Sequence, residues 1–249
     1  MKRFTTIEEI ETLCEAMIKD FFKGRHYTNV QCVDIESFVK EYLNTPVVYE
    51  AFVEEDPGRL GFLSDGKRPL RIVRNGICKE TVFPVGTVVI DRYLLNPREG
   101  ARKRFTLAHE GAHEILNRHI PIQKSPIAAF HSEYDSEMNY SSAILKEMMS
   151  FNEYLANRAA SALLMPGFLM ERVLRRYNDS RMIIMYLDGD RAVLSQDQKL
   201  LIQKMADTMG VSFSALFYRL KDLDLFQTKP MEEYLHNGLR CGGGSYAGE

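Results

Sequence analysis

The chain has 249 residues, 45% of them hydrophobic and 27% charged, and a formal net charge of -2. That is enough for one large domain or two small ones with a real core, and the near-neutral charge excludes a global pull towards nucleic acid. No apolar run approaches the ~20 residues that span a bilayer, and the scattered Cys14, Cys32, Cys78 and Cys241 lack metal spacing. With no recognisable signal peptide, the expectation is a soluble protein with free thiols in a reducing cytoplasm.

In chain order, the periodicity of Ile7, Ile10, Leu13, Cys14, Met17, Ile18 and Phe21 predicts a helix over 5–23, closed by Gly24. A second helix is expected from Asp34 as N-cap through Ile35, Phe38, Val39 and Leu43. Both read as a core layer. From Pro46 the character changes. Val47–Phe52, Leu60–Leu63, Leu70–Val73 and Thr87–Ile90 are short β-rich runs divided by Asp-Pro-Gly and Asp-Gly turn signals. Ser64–Pro69 reads as a hairpin-type connection between the second and third of them. Pro97 then suits the first turn of a helix.

That helix carries Arg104-Phe-Thr-Leu-Ala-His109-Glu110-Gly-Ala-His113-Glu-Ile-Leu. Histidines at i and i+4 lie within ~40° of one helical face and ~6 Å apart along the axis, so both imidazoles can reach one metal ion. Glu110 projects beside that face, where it reaches a metal-held water without being a ligand. Phe105, Leu107, Ala108, Ala112, Ile115 and Leu116 make the helix apolar enough to be buried, and buried histidines need partners. His119 lies about 600° past His113 and faces elsewhere.

The irregular stretch from His119 to Tyr140 reads as a long loop or lid. His131, Tyr134 and Tyr140 in it are either carbonyl-polarising groups or ordinary surface residues. Next comes Phe151-Asn-Glu153-Tyr-Leu-Ala156-Asn157-Arg-Ala-Ala-Ser-Ala-Leu-Leu-Met165-Pro166, an amphipathic helix stopped by proline. Zinc needs a third protein ligand with one position left for water, and Glu153 is the best candidate. Taken alone, this helix favours the plainer reading, an acid placed for the helix dipole.

After Pro166 follow a helix to about Tyr177, an apolar run over 182–187 and a Gly-Asp turn. Asp197–Met209 and Ser212–Leu223 are then two helices joined at Gly210-Val-Ser. This outline resembles a DNA-binding helix-turn-helix, but Arg219 and Lys221 are offset by Asp222 and Asp224, so ordinary packing is expected. The Gly-rich end from Cys241 reads as a flexible tail.

Read together, Arg-Phe-Thr-Leu-Ala-His-Glu-x-Ala-His followed by Glu-x-x-Ala-Asn-Arg-Ala-Ala-x-x-Leu-Leu-Met-Pro resembles the ImmA/IrrE family of metallopeptidase-like proteins, over roughly Leu60 to Pro166. The resemblance implies zinc held by His109, His113 and Glu153, with Glu110 as catalytic base. It also implies a regulatory peptidase encoded near mobile elements or stress operons, cutting a helix-turn-helix repressor. Gly111 stands where the family usually has a bulkier apolar residue, and 39 residues between His113 and Glu153 make a long connection.

The expected fold is α+β: a small, mostly antiparallel sheet packed on a helical bundle that carries the His-Glu-x-x-His helix, with extra helices at both ends. The expected divisions are a helical segment over 1–45, a metallopeptidase core over 46–180, a helical segment over 181–240 and a tail over 241–249. The expected activity is a zinc-dependent endopeptidase, manganese being the alternative ion. A substrate peptide is expected to meet a strand edge, at Thr87–Ile90 or Leu70–Val73. The rival is a non-catalytic, metal-stabilised regulatory or toxin–antitoxin module, in which Glu114, His119 or His131 would supply a fourth protein ligand.

Overall fold

The computed structural model describes residues 6–23, 30–53, 59–119 and 151–234. Helix α1 (Ile7–Phe21) starts one residue after Thr6, whose hydroxyl accepts the Glu9 backbone N–H at 3.1 Å. Its apolar stripe buries Ile10, Cys14, Ile18 and Phe21. Asp34 caps α2 (Ile35–Ser37) by accepting from Ser37 N at 3.1 Å, and the chain continues as a π-helical turn over Phe38–Tyr42. That wider turn carries Val39 into the core.

The strands are β1 (Val47–Phe52), β2 (Gly61–Leu63), β3 (Leu70–Arg74), β4 (Ile77–Thr81) and β5 (Val88–Asp91), in the order β2-β5-β1-β3-β4. Only β1 and β5 run parallel, so the sheet is mostly antiparallel as expected. Its pairing corrects two readings. Ser64–Pro69 is not a hairpin between the strands that flank it, because β2 pairs with β5 and β3 pairs with β1 and β4. There Asp65 Oδ1 accepts from Lys67 N and Arg68 N, each at 2.9 Å, which turns the chain away from β2. The hairpin is β3–β4, closed by Asn75 and Gly76 with φ of 54° and 75°. Asn-Gly is the pair that a type I′ turn selects, since both central residues must be left-handed.

The second correction concerns the edges. Thr87–Ile90 and Leu70–Val73 both lie in strands paired on two sides, and the strands at the sheet's ends are β2 and β4. Burial explains β5: Val88 and Ile90 face the helices while Val89 faces a smaller cluster with Phe62, Leu70, Ile72 and Phe83. A strand apolar on both faces belongs in the interior of a sheet.

Pro97–Glu99 form a 3-10 turn capped by Asn96, and α3 (Gly100–His119) follows directly. Beyond the connection come α4 (Phe151–Leu164), α5 (Gly167–Asn178), β6 (Ile183–Asp188), β7 (Arg191–Val193), α6 (Gln196–Met209), α7 (Phe213–Asp222) and β8 (Phe226–Pro230). The apolar run over 182–187 becomes the middle strand of a second sheet, antiparallel to β7 and parallel to β8. One hydrophobic core contains residues from α1 through α7, including Leu107, Ala156, Leu163, Ile202 and Leu216. The architecture is α+β.

The second helix of the helix-turn-helix outline turns one of its two basic residues inward. Arg219 on α7 is 2% exposed and donates from Nε to Met165 O at 3.0 Å. A buried arginine offers nothing to a phosphate backbone. Ser212 and the left-handed Gly210 cap the two helices of that outline.

Candidate metal centre

Helix α3 brings His109, Glu110 and His113 to the face that meets α4. Both imidazoles are buried, at 1% and 5% exposure, and their rings stand edge to face with centroids 4.6 Å apart. Leu107, Ala108, Ala112, Ile115 and Leu116 are buried around them, so the apolar helix predicted from the sequence is what seals the histidines. Gly111 has a local cause. A Cβ there would lie 2.9 Å from Val39 Cγ2, so the π-helical turn occupies the space a bulkier residue would fill.

Helix α4 supplies the third group. Glu153 Oε2 lies 3.3 Å from His109 Nε2, Glu153 Oε1 lies 3.4 Å from His113 Nε2, and the two Nε2 atoms are 3.0 Å apart. Two ligands at ~2.0–2.1 Å from one tetrahedral ion stand ~3.3 Å apart, so these separations are those of atoms converging on one ion. One donor atom from each of the three residues falls within 4.8 Å of the others. His109, His113 and Glu153 form a potential metal site, and the residues fit a divalent cation.

Two residues on α4 prepare that face. Asn157, one turn after Glu153, places Oδ1 2.9 Å from His109 Nδ1. An amide oxygen accepts, so Nδ1–H donates and Nε2 is the ring nitrogen turned towards His113 and Glu153, the one that binds an ion when the ring is neutral. Burial drives the carboxyl of Glu153 upward, but hydrogen bonds from His109 and His113 outweigh it and hold the group at about 2. For His109, burial favours the neutral ring, while the Glu153 hydrogen bond and the charges of Glu110 and Glu153 raise its pKa overall. A site that stabilises positive charge on an imidazole is electrostatically prepared for a cation.

Glu110 stays outside the ligand triangle. It is 1% exposed, and its Oε2 has no hydrogen-bond partner among the described residues. Burial raises its pKa, opposed by the nearby His109 and His113 and, more weakly, by Arg59. Across from it runs β2, with Gly61 against the carboxylate.

Sequence reasoning named the three residues that converge and the one beside them. It missed the contributions of Asn157 and Gly61. The first had a signal, since Asn157 is four residues after Glu153 and must share its face. The second had only a glycine inside a strand pattern, which marks a close approach. Glu114, a candidate fourth ligand, instead accepts from Arg118 Nε at 2.8 Å. His131, Tyr134 and Tyr140 lie outside the described residues, as does the side chain of His119.

A two-histidine, one-glutamate triangle spanning two helices, with a second carboxylate beside it, defines a metallopeptidase-type domain. A peptidase family model described as the IrrE N-terminal-like domain matches residues 92–221, over half of the 249. The chain belongs to the ImmA/IrrE family. The match begins after the five-stranded sheet and runs through α7, so it takes in helices beyond the Pro166 boundary of the motif resemblance. A comparison with curated proteins finds none that matches. Among the described residues, no helix is long and apolar enough to cross a membrane.

Proposed function

We propose that this protein is a zinc-dependent endopeptidase that hydrolyses one peptide bond in a protein partner, a helix-turn-helix repressor. The observation that carries the reading is the buried carboxylate of Glu110, held beside the ligand triangle with one oxygen unpartnered among the described residues. A structural carboxylate at that depth is ordinarily satisfied. An open acceptor next to a metal site is what a general base requires.

His109, His113 and Glu153 would hold the ion, with Asn157 setting the His109 tautomer. When bound, the ion supplies Lewis-acid chemistry, bringing the pKa of water towards ~7 and polarising a carbonyl oxygen. Glu110 accepts the proton that water loses on attacking the peptide carbonyl. It then delivers that proton to the departing amine nitrogen. Burial raises its pKa, which suits a group that must hold the proton between two transfers. The choice of a repressor rests on what the family resemblance implies, and a cytoplasmic place of action on the unpaired cysteines and the lack of a recognisable signal peptide in the sequence.

The experiment mixes metal-loaded protein with the product of a neighbouring regulatory gene. Wild type should yield two fragments. Glu110→Gln keeps size and hydrogen-bonding capacity but cannot take the proton, so cleavage should fall by ~10²–10⁴-fold. Metal content should be unchanged, and the variant should capture the intact partner. Cleavage at the normal rate by Glu110→Gln removes Glu110 as base. A partner that binds but stays whole with metal-loaded wild type ends the peptidase reading.

A further inference from the structure

We propose that Gly61 is a positioning residue for Glu110: the absent side chain at this point of β2 is the seat of the carboxylate. The proposal deepens the peptidase reading and rests on it for the role of Glu110. A Cβ on Gly61 would stand 2.5 Å from Glu110 Oε1, 3.0 Å from Glu110 Cγ and 2.6 Å from Thr106 Cγ2. Thr106 and Glu110 are one turn apart on α3 and are 3% and 1% exposed, so neither can swing into solvent. Real carbon contacts do not reach such distances, and something must move.

Conformation is not the reason for the glycine. Gly61 is absent from the positive-φ glycines, so its backbone accepts any L-residue and only space excludes one. Nor can β2 easily retreat. Gly61, Phe62 and Leu63 pair with Ile90, Val89 and Val88, and Asp91 N donates to Leu60 O at 2.8 Å. Phe62, 1% exposed, anchors the strand on the opposite face. A side chain at 61 would therefore displace the carboxylate from its place beside the histidines. A glycine at the start of a short strand gives up side-chain packing, and here it leaves the space that the Glu110 carboxylate occupies.

The test uses the full metal-loaded chain and its cleaved partner. Gly61→Ala should lower kcat by ~10²-fold, the scale for a misplacement of about an ångström, with metal affinity by chelator competition within about twofold of wild type. In a Glu110→Gln background, where the base is already gone, Gly61→Ala should cost less than about twofold, because residues acting as one unit are not additive. An equal loss in both backgrounds overturns the proposal. So does recovery of rate in Gly61→Ala combined with Thr106→Ala, which would assign the effect to the threonine methyl. Should Gly61→Ala not fold, adding Glu110→Ala and Thr106→Ala should restore folding by vacating the space, and failure to do so also overturns it. A crystal structure of Gly61→Ala should show the Glu110 carboxylate moved and β2 in place; the reverse refutes the seat. That readout stands even if wild type leaves its partner whole, the separate outcome that ends the peptidase reading.

Discussion

Helix α4 joins a polar cluster on each of two faces, one buried and one only part-buried, and they are built differently. Towards α3 it presents Glu153 and Asn157 to the histidines. Towards α1 and α7 it presents Arg158, which reaches Glu11 at 2.6 Å and also pairs with Asp222. Arg219 closes that second cluster, 2.9 Å from Glu11. Its two guanidinium groups face two carboxylates, so its charge balances within the protein. The first cluster sets Glu110 and Glu153 against two imidazoles, whose charge depends on protonation, and leaves Glu110 Oε2 without a hydrogen-bond partner among the described residues. A self-neutralising network holds elements together, whereas one whose balance depends on protonated imidazoles can exchange those protons for a cation.

The largest effect that tests this contrast is on stability. Glu11→Leu leaves Arg219 buried opposite a missing carboxylate, and stranding such a charge costs ~3 kcal/mol or more. Urea unfolding should show that loss, while the folded variant still takes up one metal ion per chain. Glu11→Leu combined with Arg219→Met should recover much of it, because removing both charges removes the stranded one. A metal affinity that dropped in step with stability would mean that the rear network also sets ligand geometry, and the contrast would break.

Next in size is the effect of Asn157→Ala. Losing the partner that orients a metal-binding imidazole typically costs 10–100-fold in affinity, about 1.4–2.7 kcal/mol. Chelator competition should show this with full occupancy at saturating metal. An unchanged affinity would mean that packing alone fixes His109.

The last effect belongs to the metal-free protein in acid. The Glu153 carboxyl is held at about 2 against an ordinary 4.5, so its folded pKa lies below the unfolded one. The stability it contributes is therefore present above pH 4.5 and is lost as pH falls towards about 2. Denaturation curves across that window should steepen in wild type and flatten in Glu153→Gln. Equal slopes would show that Glu153 is not paired with the histidines in the absence of metal.

Much of this molecule is legible in its residues. The spacing of His109 and His113 puts two imidazoles on one helical face whatever surrounds them, and the apolar run through Leu107, Ala112 and Ile115 requires that face to be buried. Alternation and turn signals locate the strands over 47–52 and 70–74 to within a residue or so. β4 escaped because its residues are exposed and carry no apolar alternation, although Asn75-Gly76 signalled the hairpin before it. Glu153 shows the limit of a local reading. Near a helix start, a dipole-favoured acid and a metal ligand look alike.

What the sequence determined by itself is the chemistry on each element, because helical and strand periods act over a few residues. The tertiary structure alone decided that Glu153 meets the histidines, that Val39 fills the space over Gly111, that Gly61 yields to Glu110, and that Glu11 answers Arg158 and Arg219 across the chain. Each of these depends on which elements pack together. That choice is made by the summed burial of one core drawn from α1 to α7, which no local period encodes.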